Sequence, residues 1–282
     1  MKSEDSHLYT SVDAYLNGPD GMNNEVAMWA VAAGIFIKEA VRMQDKKGFG
    51  GLHASKGLER RLALPHLSVL DACCGPGNFA NYISLVYPTM AVTGVDINLT
   101  FIEAAQQRFQ KEDWEFFCRD MCKLSFTNRY DFVLASSAYH HIPDLSKQMF
   151  MHILKKHLKL AGKVLVCENL LPVYTNDLER TSAIEVYYSE LKSYYAQGNA
   201  TSEAREAIEE VYRLEVAGEE EHKVDFPLFA AHVNGAGLEI ELDIPIWQPS
   251  KLKESNAGSH VLLLKHTESV APALNISSPL NK

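Results

Sequence analysis

No apolar run in this sequence reaches the length of a membrane span. The longest candidate, VAMWAVAAGIFI at 26–37, is too short and runs straight into charge. The opening stretch MKSEDSHLYT carries acids and no apolar core, which predicts no signal peptide. Basic charge is also in deficit, with 27 Lys and Arg against 36 Asp and Glu and a net charge of −9. That balance argues against a nucleic-acid partner, which selects for a basic patch. It equally disfavours an anionic membrane surface. Cysteine is sparse, and its count of five is odd. Reduced thiols, a cytoplasmic chain and no disulfide framework follow as expectations. The cysteines form no C-x-x-C pair, and Cys73 and Cys74 are adjacent with no histidine nearby, so no metal site is expected. Internal repeats and long low-complexity segments are missing too.

What is present is a rhythm. The 282 residues suit one large domain, or one domain with an insertion. Residues 11–45 have apolar positions at helical spacing, broken by NGPDG at 17–21 and followed by the glycine-rich KKGFGG at 46–51. This portion, 1–66, reads as a helical cap. From residue 67 short apolar strands alternate with helices. LSVLDA, AVTGVDI, WEFFCRD, YDFVLASS and GKVLVCEN are strands, and NFANYISLVY, LTFIEAAQQRFQ and LSKQMFMHILKKHLK are helices. Such alternation predicts a parallel sheet covered on both faces. Residues 172–224 interrupt it with two helices placed to act as a lid. The second is acidic from Glu203 to Glu221 and reads as a solvated face. Residues 225–267 return to the core with one helix and two strands, LEIELDIPIW and HVLLLKH, that predict an antiparallel edge. The last stretch, 268–282, lacks periodicity and reads as a disordered tail.

The strand ends carry the chemistry. Asp71 ends the first strand and is followed by D-A-C-C-G-P-G-N, where glycines admit a close ligand and the next helix offers free N–H groups. The loop matches neither G-x-G-x-x-G nor the G-K-[ST] of a phosphate cradle. Asp96 follows roughly 20 residues after Gly75, where an acid can take both ribose hydroxyls of an adenosine ligand. Asp120 ends the third strand within reach of an adenine amino group. The fourth strand runs into ASSAYHHIPD. Open α/β sheets bind ligands at this carboxyl end.

Taken in order, these motifs resemble the class I S-adenosylmethionine-dependent methyltransferases. VLDACCGPGNFA is similar to their glycine-rich first motif, GVDIN to the second and RDMCKLSF to the third. YDFVLASSAYHHIPD resembles the fourth, and LKLAGKVLVCEN the fifth strand with its lead-in. The likeness covers 65–170 and, by pattern, the strand pair at 238–266. It implies a Rossmann-like seven-stranded, mostly parallel sheet with an antiparallel last strand, and S-adenosylmethionine as cofactor. By resemblance Asp71, Cys73, Gly75, Gly77 and Asn78 surround its methionine part. Asp96 with Ile97 holds the ribose side, Asp120 with Met121 brackets the adenine, and Ser136 closes the pocket. Cys73 departs from the family, standing where a glycine is usual.

Tyr139 and His140 are the candidate acceptor-side catalytic residues, because they stand nearest the fourth strand end, and a histidine there can serve as a base at neutral pH. His141 shares that turn. Tyr187, Tyr188, Tyr194 and Tyr195 form helical stripes in the lid, suited to packing or to covering a sulfonium. Tyr9 and Tyr15 share the ambiguity. Two activities are weighed. One is methyl transfer to a small-molecule acceptor. The other consumes S-adenosylmethionine as sole substrate, cyclising its aminobutyryl arm, with Asn169 orienting the amine. The fourth motif lacks the N/D-P-P-Y of amino-methylating DNA enzymes and the paired glutamates of arginine methylation. A homodimer is compatible with the sequence.

Overall fold

The computed structural model describes residues 23–44, 64–198, 201–250, 252 and 255–267. Tyr9, Tyr15, the 46–51 loop and the 268–282 tail lie outside these residues. The first described element is helix α1 (Asn23–Gln44). Then follow β1 (Leu67–Ala72), α2 (Asn78–Val86), β2 (Met90–Asp96), α3 (Leu99–Arg108), β3 (Trp114–Cys118) and β4 (Tyr130–Ser136). The chain continues through α4 (Asp144–Lys156), β5 (Leu158–Leu170), α5 (Asp177–Gln197), α6 (Ser202–Ala217), α7 (Phe226–Gly235), β6 (Leu238–Trp247) and β7 (Gly258–His266).

The seven strands form one sheet in the order β3-β2-β1-β4-β5-β7-β6. β1 to β5 pair in parallel, and β7 is antiparallel to both of its neighbours. The expected antiparallel last strand is therefore present. The central strands read as almost continuous apolar runs because both faces are covered. Alternation sorts their side chains. Leu67 and Val69 of β1, with Phe132 and Leu134 of β4, join a cluster with Met28, Ala32 and Phe36 of α1 and Phe79 and Ile83 of α2. Leu70, Ala72, Val133 and Ala135 face the other way, onto Phe150 and Leu154 of α4 and Phe229 and Val233 of α7. α1 thus covers one sheet face, and its Phe36 ring lies 4.2 Å from Phe132, centroid to centroid. Burying a ring of that size stabilises by about 1.5–3 kcal/mol.

Local chemistry starts the helices where polar residues meet apolar periodicity. Asn98 caps α3 by accepting the Thr100 N–H at 2.9 Å, and Asp225 caps α7 by accepting that of Leu228 at 2.9 Å. Gly218, at φ 65°, ends α6 in the left-handed conformation. α4 ends at Lys156, short of the sequence expectation, because β5 begins at Leu158, whose partner is Tyr130. α5 and α6 pack in a cluster of their own, with Leu171, Ile184, Tyr187, Tyr188, Leu191 and Ile208. Among the described residues no helix is long and apolar enough to cross a membrane.

Candidate active site

β1 and β4 lie side by side, while the chain leaves them toward opposite sheet edges. The carboxyl ends of two such strands part to leave a crevice. The β1–α2 loop fills its floor. Gly75 and Gly77 have φ of 51° and 81°, and Cys73 has φ of 56°. Cys73 therefore takes up the left-handed backbone that the family's usual glycine would adopt, in a conformation disfavoured for a side-chain-bearing residue. Cys74 is buried and donates its N–H to Val95 at 3.0 Å. Burial pushes both thiols well above their usual range, so they stay protonated and unreactive. A Cβ at Gly77 would come within 2.8 Å of Phe109, and one at Gly94 within 2.4 Å of Phe116. Arg108 holds the loop from outside, donating to the Pro76 carbonyl at 2.7 Å and to Asn78 at 2.8 Å.

Two acids converge on this loop. Asp71 is 1% exposed, and one of its carboxylate oxygens has no hydrogen-bond partner. Burial raises its pKa to about 7, with the Ala80 N–H opposing and Asp96 adding to the rise. Asp96 accepts the Gly75 N–H on Oδ2 and the Asn98 N–H on Oδ1, each at 2.8 Å. Each of its oxygens keeps a lone pair for a further donor. Burial pushes this carboxyl up as well. Ile97 beside it is 52% exposed, an apolar surface open to a flat ring. Asp120 caps its own turn, accepting the Cys122 N–H at 2.9 Å and pairing with Lys123 at 2.9 Å. Met121 is buried with Leu124 and Tyr130 in the sheet core.

A cavity opens over the loop between Asp71, Cys73, Asn78 and Ser136. Its far wall comes from α1, through Glu25 and Trp29. The Trp29 indole N–H donates to Ser136 Oγ at 2.8 Å, and Ser137 donates to Glu25 at 3.0 Å. Sequence reasoning missed both α1 residues. The only local signal was a polar residue and a tryptophan inside an apolar helix.

The fourth strand end leads into a buried polar cluster. His140 is 5% exposed, and its Nδ1 bonds the fully buried Glu168 of β5. Glu168 also accepts the N–H groups of Tyr139 at 3.0 Å and Asn169 at 2.8 Å. Burial drives the His140 pKa well below its usual value, leaving the imidazole neutral. Glu221 approaches both histidines, with 3.8 Å to His140 Nε2 and 3.8 Å to His141 Nδ1. Burial pushes its carboxyl up, but the Lys223 ammonium beside it outweighs that and holds it at about 2. Lys223 pairs with Glu221 and, at 3.3 Å, with Glu215, which also takes Arg180 at 2.6 Å. The acidic run is thus only partly a solvated face. Glu215 and Glu221 are 0% and 1% exposed, because buried cations face them.

Tyr139 is brought near this cluster by its backbone, while its hydroxyl turns toward α7 and bonds His232 at 2.6 Å. Lys147 sits 4.2 Å over its ring and donates to its carbonyl at 2.8 Å. Asn169 accepts from Ser259 at 2.6 Å and Tyr187 at 3.4 Å. Ser259 in turn takes the Asn24 amide at 2.8 Å, and Asn24 takes the Tyr195 hydroxyl at 2.5 Å. This chain of hydrogen bonds ties α5 to β5, β7 and α1. Tyr187, Tyr188 and Tyr195 are buried in it, and Tyr194 is 39% exposed.

The orphaned Asp71 oxygen is oriented for a cationic or N–H-bearing group, and Asp96 can receive a diol. Both fit the methionine and ribose ends of S-adenosylmethionine. Residues 69–162 match a family model described as a methyltransferase domain. The matched stretch, which carries Asp71, Asp96 and Asp120, is thus similar to a methyltransferase domain.

Among known proteins, malonyl-acyl-carrier-protein O-methyltransferase of Legionella pneumophila is 32% identical over 74 residues, 26% of each chain. The protein of the same name from Bacillus cytotoxicus is 27% identical over 114 residues, 40% of this chain and 39% of its own. The chain spans well under half the length of either relative. Among solved structures, the 1,6-didemethyltoxoflavin N1-methyltransferase of Burkholderia thailandensis is similar over 91% of this chain and 85% of its own, with a TM-score of 0.52 and 15% identity. PKMT2 of Rickettsia typhi is similar over 71% and 48%, with a TM-score of 0.50 and 17% identity. At these identities the likeness is one of fold.

Proposed function

We propose that the protein transfers a methyl group from S-adenosylmethionine to a small-molecule acceptor. The observation that carries this reading is the cavity at the β1/β4 crevice, with the unpartnered Asp71 oxygen on one side and Ser136 on the other. When bound, S-adenosylmethionine supplies an electrophilic methyl group on a sulfonium centre. The chain's own task is then to bind, orient and exclude water. Asp71 and Asp96 hold the two ends of the cofactor. The left-handed turns at Cys73, Gly75 and Gly77 keep the loop backbone low enough for close approach. Trp29 and Glu25 close the cavity from α1, and the lid of α5 and α6 covers the strand ends. His140, oriented by Glu168, is the acceptor-side group. Tyr139 and Asn169 are positioning residues, since each is engaged in bonds to α7 or to the lid.

The test is incubation with S-adenosylmethionine, with and without candidate acceptors, and mass spectrometry of the products. S-adenosylhomocysteine formed only when an acceptor is present supports the reading. Methylthioadenosine formed with no acceptor overturns it in favour of cyclisation of the aminobutyryl arm.

A further inference from the structure

We infer that Glu25 of α1 and Asp71 of β1 together form a two-carboxylate seat for a primary ammonium group. The inference deepens the methyl-transfer reading and rests on it, because the ligand that brings such a group is the methionine end of S-adenosylmethionine. Glu25, Asp71 and Ser136 line one cavity, together with Trp29, Cys73 and Asn78. Asp71 is 1% exposed, and one of its oxygens has no hydrogen-bond partner. Among the described residues no lysine, arginine or histidine lines this cavity. The two acids therefore meet no counter-charge at the place they share, and a buried carboxylate without one is costly. Burial raises the pKa of both, with the Ser137 hydroxyl opposing the rise at Glu25 and the Ala80 N–H opposing it at Asp71. A cation held by the pair stabilises both anions at once.

Glu25 is aimed by its surroundings. The Ser137 hydroxyl donates to its Oε1 at 3.0 Å, which leaves lone pairs on the carboxylate for a ligand. Ser137 takes a left-handed φ of 48°, costly for a residue with a side chain. Backbone strain of this kind collects at ligand sites. The helix around Glu25 is fixed on both sides. Asn24 donates to Ser259 at 2.8 Å and accepts from Tyr195 at 2.5 Å. Trp29, four residues on and so on the same helix face as Glu25, donates to Ser136 Oγ at 2.8 Å and stacks on Phe79 with centroids 6.0 Å apart. An ammonium carries three N–H donors. Asp71, Glu25 and Ser136 Oγ, which keeps a lone pair beside the indole, are three acceptors for them. Glu25 thus selects for the charged amine, and a ligand without the aminobutyryl arm gains nothing from it.

The test is calorimetry on the full chain with S-adenosylmethionine, S-adenosylhomocysteine and methylthioadenosine. The first two carry the ammonium, and the third lacks the whole arm. Glu25→Gln should weaken the first two by about tenfold or more, each by the same factor, and leave the third unchanged. Glutamine keeps the size of the side chain and can still accept from Ser137. Ser137→Gly retains the left-handed backbone and removes the hydroxyl that aims Glu25. It should weaken the same two ligands by a smaller factor, and it tests the seat if Glu25→Gln fails to fold. Unchanged affinity for all three ligands in Glu25→Gln overturns the seat. An equal loss for all three also overturns it and leaves Glu25 as plain cavity wall. A loss confined to S-adenosylmethionine overturns it too, and moves Glu25 to the sulfonium. Failure of the underlying reading looks different: the unaltered protein would then bind neither S-adenosylmethionine nor S-adenosylhomocysteine, and the seat would fall with the cofactor site.

Discussion

The Asp96 carboxylate accepts the Gly75 backbone N–H at 2.8 Å, tying the end of β2 to the glycine loop after β1. Its second oxygen holds the Asn98 N–H at the same distance, so the side chain cannot swing away. One acid therefore shapes the loop and presents lone pairs to a ligand.

Replacing Asp96 removes both roles. Asp96→Ala should weaken S-adenosylmethionine binding by about 10- to 100-fold, the worth of one or two hydrogen bonds to a charged acceptor. Calorimetry reads this directly. An unchanged affinity would place the ribose elsewhere.

Asp71 should make cofactor binding pH-dependent near neutrality. Its pKa is about 7 in the free protein, and an ammonium or N–H donor favours the ionised form. Affinity should rise between pH 6 and pH 8 and lose that rise in Asp71→Asn. Stability moves the other way. The folded protein keeps this proton up to about pH 7, while the unfolded chain releases it near 3.8, so the group's contribution falls as pH rises through that window. The loss saturates above pH 7 at a ceiling of about 4 kcal/mol. Asp71→Asn should therefore melt higher than the parent at pH 8 and match it below pH 4.

Gly77→Ala should destabilise by about 1–3 kcal/mol in urea unfolding. Part is the left-handed backbone at φ 81° and part the 2.8 Å approach to Phe109. Cys73→Gly should change stability by less than about 1 kcal/mol, because relief of the left-handed strain offsets greater chain entropy. A large loss there would show that the Cys73 side chain holds the pocket wall.

Two lysine-to-methionine changes in or beside the lid should differ sharply. Lys223→Met leaves Glu221 buried without its cation and Glu215 with Arg180 alone, at a loss of about 3–5 kcal/mol. Limited proteolysis should then cut first within 172–224. Lys192 pairs with the half-exposed Glu209, and Lys192→Met should lose at most about 1 kcal/mol.

Much of this was legible one segment at a time. LSVLDA, AVTGVDI and YDFVLASS announce buried parallel strands because sheet residues covered on both faces must be apolar throughout. Asp71, Asp96 and Asp120 stand out because each follows such a run. Glu25 and Trp29 did not stand out, since an amphipathic helix far upstream gives no sign of which crevice it closes. The acidic stretch from Glu203 to Glu221 misled for a related reason. Charge spacing on a helix shows which residues share a face, and it does not show that Lys223 and Arg180 meet that face in the interior.

The order of elements, the glycine loop and the acids at the strand ends follow from the chain itself, because periodicity, turn chemistry and strand ends are local properties. Folding alone decided that α1 walls the cavity, that Glu168 orients His140 across 28 residues of sequence, and that Glu221 faces two histidines. Those partners are distant in the chain and meet only through packing. The low dielectric of the interior then makes each buried charge depend on finding its counterpart.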